Sequence, residues 1–520
     1  MSSRFRSCLA VFRAGLMLAA VTLVACQPET GEPRTGSAGS QVSVLHRGLG
    51  ADPDTLDPHA AEDNAALAMA AELYEGLTAE SADGAITPGA AESWRVSADG
   101  RTYVFALRPG LRWSNGDELT AEHFAVALRA VTRPATTAPY GALLADLERI
   151  EATDARTLTL LLRRPVPHLP ALLSLPVAAP LHPRAGTIDP PPANGPFQLV
   201  RWSKGERIEL VRNPHYHAAG RVAIDRVVHL TVDDLNTELN LYRTGELDLT
   251  SEVPNTHLAE LRERLPGELH VTPYLSVYSY AVNPARLPGA QARRALAMAI
   301  DRERITRQVT GAGERPAFGW VPDGLPGYEP ARFEWSSQSA AELTTEARQL
   351  WAAERAARRT PAKLVLCTDA SANHHRTAVA LADMWHTALG VETEIVELEW
   401  NVYLDSRRNP GDCDLLRLGW SADFVDPEAF AVVFESGHPQ NTLHYRNVRY
   451  DELLAASRLA ASPDVRLRLL GQAEAQLLDD VPVIPVFFRV SKRLVKPYVG
   501  GFRANPLGHV ASRDLRVLPH

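Results

Sequence analysis

Apolar and polar positions alternate with a period of two over residues 41–48, which read as a strand, and residues 103–107, 157–162, 197–200, 208–212 and 227–232 read as further strands. Apolar residues at helical spacing mark residues 63–77, 121–131, 290–310, 376–389 and 465–478 as helices. Thr120 stands at the N-cap of the second of these, with Glu122 in its first turn. Strands predicted at residues 363–368 and 391–398 flank the helix through 376–389, and this strand-helix-strand order predicts a βαβ unit within an α/β domain. The largely apolar run 413–418 reads as a further strand, broken by the Gly, Asp and Pro that follow it. The last helix leads into the apolar run 481–490, and no internal repeat is visible.

Three stretches depart from this pattern. Pro176, Pro180, Pro183, Pro190, Pro191, Pro192 and Pro196 crowd into one segment, which suits a crossing between domains better than the interior of an element. Residues 27–40 are polar and rich in Gly, Pro and Ser, as in a flexible tether. At the start, Arg4, Arg6 and Arg13 precede a run of about a dozen apolar residues, too short to span a bilayer comfortably. It ends in Leu23-Val24-Ala25-Cys26, so residues 1–25 read as a signal peptide of the lipoprotein kind.

With 520 residues the chain can hold two or three domains, and 45% hydrophobic with 22% charged residues is an ordinary globular composition. The leader carries three arginines and no acid, so its removal moves the formal charge from −8 to −11, which argues against nucleic acid as a partner. Of the four cysteines, Cys8 leaves with the leader and Cys26 stands at its end. Cys367 and Cys413 remain, in segments that both read as strands, and a disulfide between them is conceivable in an export compartment. No C-x-x-C is present, and thiolate metal ligation is not expected.

No serine-hydrolase elbow, zinc-protease helix, phosphate loop or dinucleotide fingerprint occurs, so a secreted peptidase lacks a nucleophile or metal to work with. His374 and His375 are adjacent on a predicted helix and point about 100° apart, which suits a solvent- or ligand-facing histidine better than a shared ion. His215 and His217 would share a strand face, but Asn213-Pro214 reads as a turn. The stretch Arg417-Leu-Gly-Trp420-Ser-Ala-Asp423-Phe424-Val-Asp-Pro427 sets a carboxylate between aromatic rings just after a strand. An ammonium could pair with Asp423 there, shielded by Trp420 and Phe424. Asp423 could equally cap a helix starting at Pro427 or hold its own loop. Arg407 and Arg417 could fork onto a carboxylate, or pair with Asp412, Asp414 or another neighbouring acid.

A set of short motifs carries a resemblance: Asp52-Pro-Asp-Thr-Leu-Asp-Pro-His59, Leu73-Tyr-Glu-Gly-Leu77, Ala91-Glu-Ser-Trp-Arg-Val-Ser-Ala-Asp-Gly100 and Leu107-Arg-Pro-Gly-Leu-Arg-Trp113. Asn194-Gly-Pro-Phe197, Arg212-Asn-Pro-His-Tyr216, Gly245-Glu-Leu-Asp248 and Arg294-Ala-Leu-Ala-Met-Ala-Ile-Asp-Arg302 follow, then the stretch through Pro427. In number and order these resemble the oligopeptide-binding proteins of bacterial ABC importers, the family 5 extracellular solute-binding proteins, from about Pro53 to the C-terminus. The resemblance implies a mixed α/β, periplasmic-binding-protein-like fold of two lobes on a hinge with an inserted third domain. Mapped here, one lobe takes residues 41–75, 190–282 and 485–520, the insert takes 76–189 and the second lobe 283–484. Ligand would be held by main-chain hydrogen bonds between the lobes, as in strand addition.

By the same resemblance Asp423 stands where the family binds the ligand's α-ammonium, with Trp420 beside it. Arg407, Arg417 and His374 match positions that meet a C-terminal carboxylate, and Trp400 matches an aromatic side-pocket residue. Ser421 replaces a cysteine often seen there, so any disulfide is the other pair. Leu23-Val24-Ala25-Cys26 resembles the bacterial lipobox, which implies lipidation of Cys26. The expectation is a monomeric lipoprotein of the cell envelope, anchored to the inner or outer membrane and facing the periplasm. It would need no cofactor or metal, and would pass oligopeptides to an ABC permease and its ATPase. A same-fold binder of a metal chelate, haem or oligosaccharide, or a sensor, is the alternative.

Overall fold

The computed structural model describes residues 42–520 apart from Ala135, Pro439 and Ala461, so the predicted leader, the tether and Cys26 lie outside the described residues. Val42–His520 forms one compact unit. A four-stranded sheet has the order Val44–Gly50, Arg226–Thr231, Arg207–Arg212, Phe197–Ser203; the first pair is parallel and the others antiparallel. A second, antiparallel sheet orders Ala91–Val96, Thr102–Leu107, Thr157–Leu162 and Leu147–Ala152. Burial alternates along the strands expected at 103–107 and 157–162: Tyr103, Phe105 and Leu107, and across from them Leu158, Leu160 and Leu162, all point into the core. Helix Ala121–Val131 covers it with Phe124, Ala125, Leu128 and Val131 inward, and His123 Nδ1 accepts the Thr120 N–H at 3.1 Å, closing its first turn.

The largest sheet has six strands in the order Arg315–Pro316, Val483–Leu494, Leu269–Val282, Leu415–Ser421, Lys363–Asp369, Glu392–Leu398. Its far edge is the βαβ unit expected from the sequence: Lys363–Asp369 and Glu392–Leu398 are parallel, joined by helix Ala372–Leu389, which ends at Gly390 in the left-handed region (φ 65°). The two longest strands, Leu269–Val282 and Val483–Leu494, pair antiparallel, with register breaks between Pro273 and Val277 and between Tyr278 and Ser279. They run on to the first sheet, since Leu249 bridges Val495 on one side and Arg47 on the other.

Two expectations need correction. The helix predicted over 290–310 is broken: Ala290–Met298 ends, Asp301 caps a new start by accepting the Arg304 N–H at 2.9 Å, and Ile305–Thr310 is wound more widely. The cause is Arg302, fully buried, whose guanidinium donates to the carbonyls of Ala297, Ala317 and Pro485. The strand predicted at 413–418 begins two residues later and carries on through Gly419 and Trp420 to Ser421, because pairing with Ser276–Val282 holds it extended.

Along Leu415–Ser421 the faces separate strictly. Leu416 and Leu418 join a core shared with the second sheet, whereas Leu415 joins the core under helices Ala290–Met298 and Ala372–Leu389, and Arg417 shares that face. Cys367 and Cys413 form a disulfide with Cα atoms 5.8 Å apart, tying the start of this strand to its parallel neighbour.

Candidate functional site

The strand Leu415–Ser421 delivers two charged groups to very different surroundings. At its end, Ala422 and Phe424 are buried and hold Asp423 half-buried between them. Burial pushes the Asp423 carboxyl up to about 7, against the pull of His509 and a hydrogen bond from Tyr140. No lysine or arginine pairs with Asp423 among the described residues. The Tyr140 side chain also bonds Gln440. His509 is held through Nδ1 by Glu80 at 3.0 Å; burial opposes its charge, but Glu80 and Asp423 outweigh this and raise its proton affinity.

Trp420 and Phe424 frame the loop. The Trp420 indole N–H donates to the Ala429 carbonyl at 2.7 Å, and the Phe424 ring stacks on His168 with centroids 4.9 Å apart. Ser421 Oγ takes the Tyr274 hydroxyl at 2.7 Å and reaches Ser276 Oγ at 3.0 Å. Asp426, not Asp423, caps the following turn by accepting the Glu428 N–H at 2.8 Å.

Arg417 and His374 meet on one carboxylate that the sequence reading did not single out, Asp369. Arg417 Nη2 lies 2.8 Å from it and His374 Nδ1 2.9 Å. Burial would raise Asp369, but the Arg417 charge and His374 hold it well below the usual carboxylate range. Burial and the Arg417 charge lower His374, against the pull of Asp369, which its Nδ1 faces. The Arg417 guanidinium lies over the Tyr403 ring at 4.9 Å, and the Trp400 ring stacks on Tyr403 with centroids 5.5 Å apart. The neighbouring acids Asp412 and Asp414 are taken by Arg286 instead.

Arg407 stands apart. It lies in helix Trp400–Arg408 beside a cavity of about 290 Å³, and its Nε is buried without a hydrogen-bond partner. Arg408 on the same turn pairs with Glu62 at 2.9 Å. Arg417 and His374 thus meet on Asp369, with Trp400 joined to them through Tyr403, while Trp420 lies in the strand that leads to Asp423 and Arg407 has no ion pair among the described residues. Tyr140, His509, Asp369 and Tyr403 were missed; only Asp369, an acid closing a predicted strand, carried a local signal.

His215 and His217 do not share a strand: they lie in the turn after Arg207–Arg212, and His217 Nε2 meets the buried Glu75 at 2.6 Å. Among the described residues one group, His168, Asp426 and Glu428, has the spacing of metal ligands. Both of its carboxylates are held by Arg466, and Glu428 also by Arg458, so the donors are committed to ion pairs.

Comparison with known proteins places this geometry. The family model described as "Bacterial extracellular solute-binding proteins, family 5 Middle" matches residues 85–442. The periplasmic oligopeptide-binding protein OppA of Salmonella typhimurium is 33% identical over 518 residues, covering 93% of this chain and 94% of that protein. The crystal structure of Haemophilus influenzae OppA in complex with the peptide RPPGFSPFR matches at 31% identity and a TM-score of 0.86, over 92% of this chain and 99% of that one. The Escherichia coli murein tripeptide binding protein MppA matches at 28% identity and a TM-score of 0.87, over 92% of this chain and 99% of that one. Its unliganded open form, at the same identity and covering 92% and 98%, reaches only 0.69. Identity and coverage being alike, the contrast is one of arrangement, and this chain has the arrangement of the former. The chain belongs to the family 5 bacterial extracellular solute-binding proteins, which bind a ligand and perform no reaction.

Proposed function

We propose that the protein captures oligopeptides from the envelope space and passes them to an ABC permease driven by its ATPase. Asp423 carries this reading: it is a half-buried carboxylate, destabilised as an anion and, among the described residues, without a lysine or arginine partner, at the end of a strand that closes between two aromatic residues. A peptide's α-ammonium supplies the missing counter-charge, worth about 1.5–3 kcal/mol as a charge-assisted bond. Arg417 and His374, locked on Asp369, shape the wall of the site and keep little free charge for a ligand. Trp400 extends that wall. The similarity to a peptide complex of OppA supports the same ligand class. The lobes follow the boundaries given above, with the long strands Leu269–Val282 and Val483–Leu494 as the hinge. The protein acts as a monomer, anchored in the envelope through a lipid on Cys26 and facing the periplasm.

Native mass spectrometry of the soluble form lacking the leader, followed by release and sequencing of what is bound, tests this. Mixed short peptides, lost in Asp423→Ala, are expected. A single non-peptide mass, or peptide binding indifferent to the substitution, would overturn it.

A further inference from the structure

The loop at residues 252–255 and the first turn of helix Ala372–Leu389 belong, by the proposed boundaries, to different lobes, and one side chain joins them. Asn373 is buried and commits both ends of its amide across the boundary: Oδ1 accepts the Asn255 N–H at 3.0 Å, and Nδ2 donates to Glu252 Oε1 at 3.4 Å. The loop is fixed from its own side. Val253 and Leu258 pack with Leu494 in one core, and Lys492 Nζ donates to Asn255 Oδ1 at 2.6 Å while lying 3.2 Å from Glu252. Burial opposes the Glu252 charge, but Lys492 and Arg489 outweigh it and hold the carboxyl at about 2, so the acceptor stays anionic.

The place of Asn373 in the fold makes this contact sensitive to the angle between the lobes. Strand Lys363–Asp369, which leads into its helix, lies two strands beyond Leu269–Val282, about 10 Å at the usual strand spacing. A turn of about 15° about the long strands, an ordinary size for a rigid-body transition, displaces a group at that radius by about 2–3 Å. Both bonds then part, since neither survives far beyond about 3.5 Å. A neighbouring contact lies closer in: Arg262 donates to the Gly311 and Ala312 carbonyls at 2.9 and 3.0 Å, and that segment runs into Arg315–Pro316, paired directly on Val483–Leu494. Asn373 also adjoins the site. His374, next in the chain, meets Asp369 at 2.9 Å, and Asp369 holds Arg417.

We propose that Asn373 is a positioning residue for ligand capture, its amide closing on residues 252–255 when the lobes close and so lengthening the stay of a bound peptide that it does not touch. The proposal rests on the peptide-capture reading and on the lobe boundaries that go with it.

The test is stopped-flow measurement of trialanine and tetraalanine binding to the soluble form lacking the leader, comparing wild type, Asn373→Ala and Asn373→Asp. Asn373→Ala is expected to speed dissociation about tenfold or more, through loss of one neutral and one charge-assisted bond, with association within about twofold of wild type. Asn373→Asp keeps an acceptor for Asn255 but sets a second carboxylate against Glu252, and should dissociate at least as fast. In hydrogen exchange, bound peptide should slow residues 252–255 in the wild type and not in Asn373→Ala. Unchanged dissociation rates overturn the clasp. So does a fall in melting temperature as large without peptide as with it, which would make the contact a fixed strut present in both states. If neither peptide binds the wild type, the capture reading itself fails and the clasp with it.

Discussion

Asp369 and Asp423 are two carboxylates at the ends of neighbouring sequences in one sheet, and the fold treats them in opposite ways. Asp369 receives a guanidinium and an imidazole at 2.8–2.9 Å and is driven further into its anionic form. Asp423 receives only a tyrosine and the field of a histidine, which do not offset its burial, and it is driven toward neutrality. A buried charge balanced within the fold stabilises the fold, while one left unbalanced stores free energy that only a partner from outside can recover.

The contrast breaks most sharply at Asp369. Asp369→Asn leaves Arg417 buried without its counter-charge and should cost about 3–5 kcal/mol in denaturant unfolding, as removal of one partner of a buried pair does. Asp423→Asn should leave stability within about 1 kcal/mol of wild type or raise it, because it removes a poorly solvated anion. Opening the disulfide by Cys367→Ser with Cys413→Ser should cost about 2–4 kcal/mol, given a sequence separation of 46, and it should loosen the Asp369 end of the sheet rather than the Asp423 end. Hydrogen exchange of Lys363–Asp369 against the loop after Ser421 would show which end loosens.

For binding the order reverses: Asp423→Asn should weaken peptide affinity by about 1.5–3 kcal/mol in calorimetry. The pH dependence sharpens this further. A ligand ammonium needs Asp423 ionised, so affinity should hold above about 7 and fall as the pH drops below it, approaching tenfold per unit. Protonated His509, facing the same carboxylate, adds to the loss by repelling the ligand. Above about 8 the peptide amine itself deprotonates, so the profile is bell-shaped. Asp423→Asn should lose the acid limb while keeping the alkaline one.

The smallest expected effect concerns stability alone. His229 is buried in the first sheet with neither ring nitrogen bonded, and burial, reinforced by Arg47, lowers it well below its ordinary value. It stays neutral when folded but takes a proton when unfolded, so stability should decline as the pH falls through about 6.5, and less so in His229→Gln.

The contrast also explains what could be read from the chain. The setting of Asp423 was legible because its pattern is local: a strand, a glycine and a carboxylate between aromatic residues. Asp369 as the partner of Arg417 was not, since a parallel pair places residues from distant segments side by side, and nearby acids were the natural suspects. Tyr140 and His509 come from segments far from Asp423 in sequence, and no periodicity links them to it. The break after Met298 was hidden for another reason. Arg302 fits a helical pattern as well as any arginine, and only its tertiary carbonyl partners show that it ends one helix and starts another.

The register break between Pro273 and Val277 has a mechanical meaning. Where the ladder between the two long strands is interrupted, the backbone turns to other partners: the Leu275 N–H donates to the Pro506 carbonyl at 2.7 Å, and the Leu275 carbonyl accepts the Ala422 N–H at 2.9 Å. This stretch carries Tyr274 and Ser276, whose hydroxyls grip Ser421, two residues from Asp423. The interruption of the ladder and the grip on the strand leading to Asp423 are thus built from the same few residues, which ties the geometry of the long pair to the position of the carboxylate.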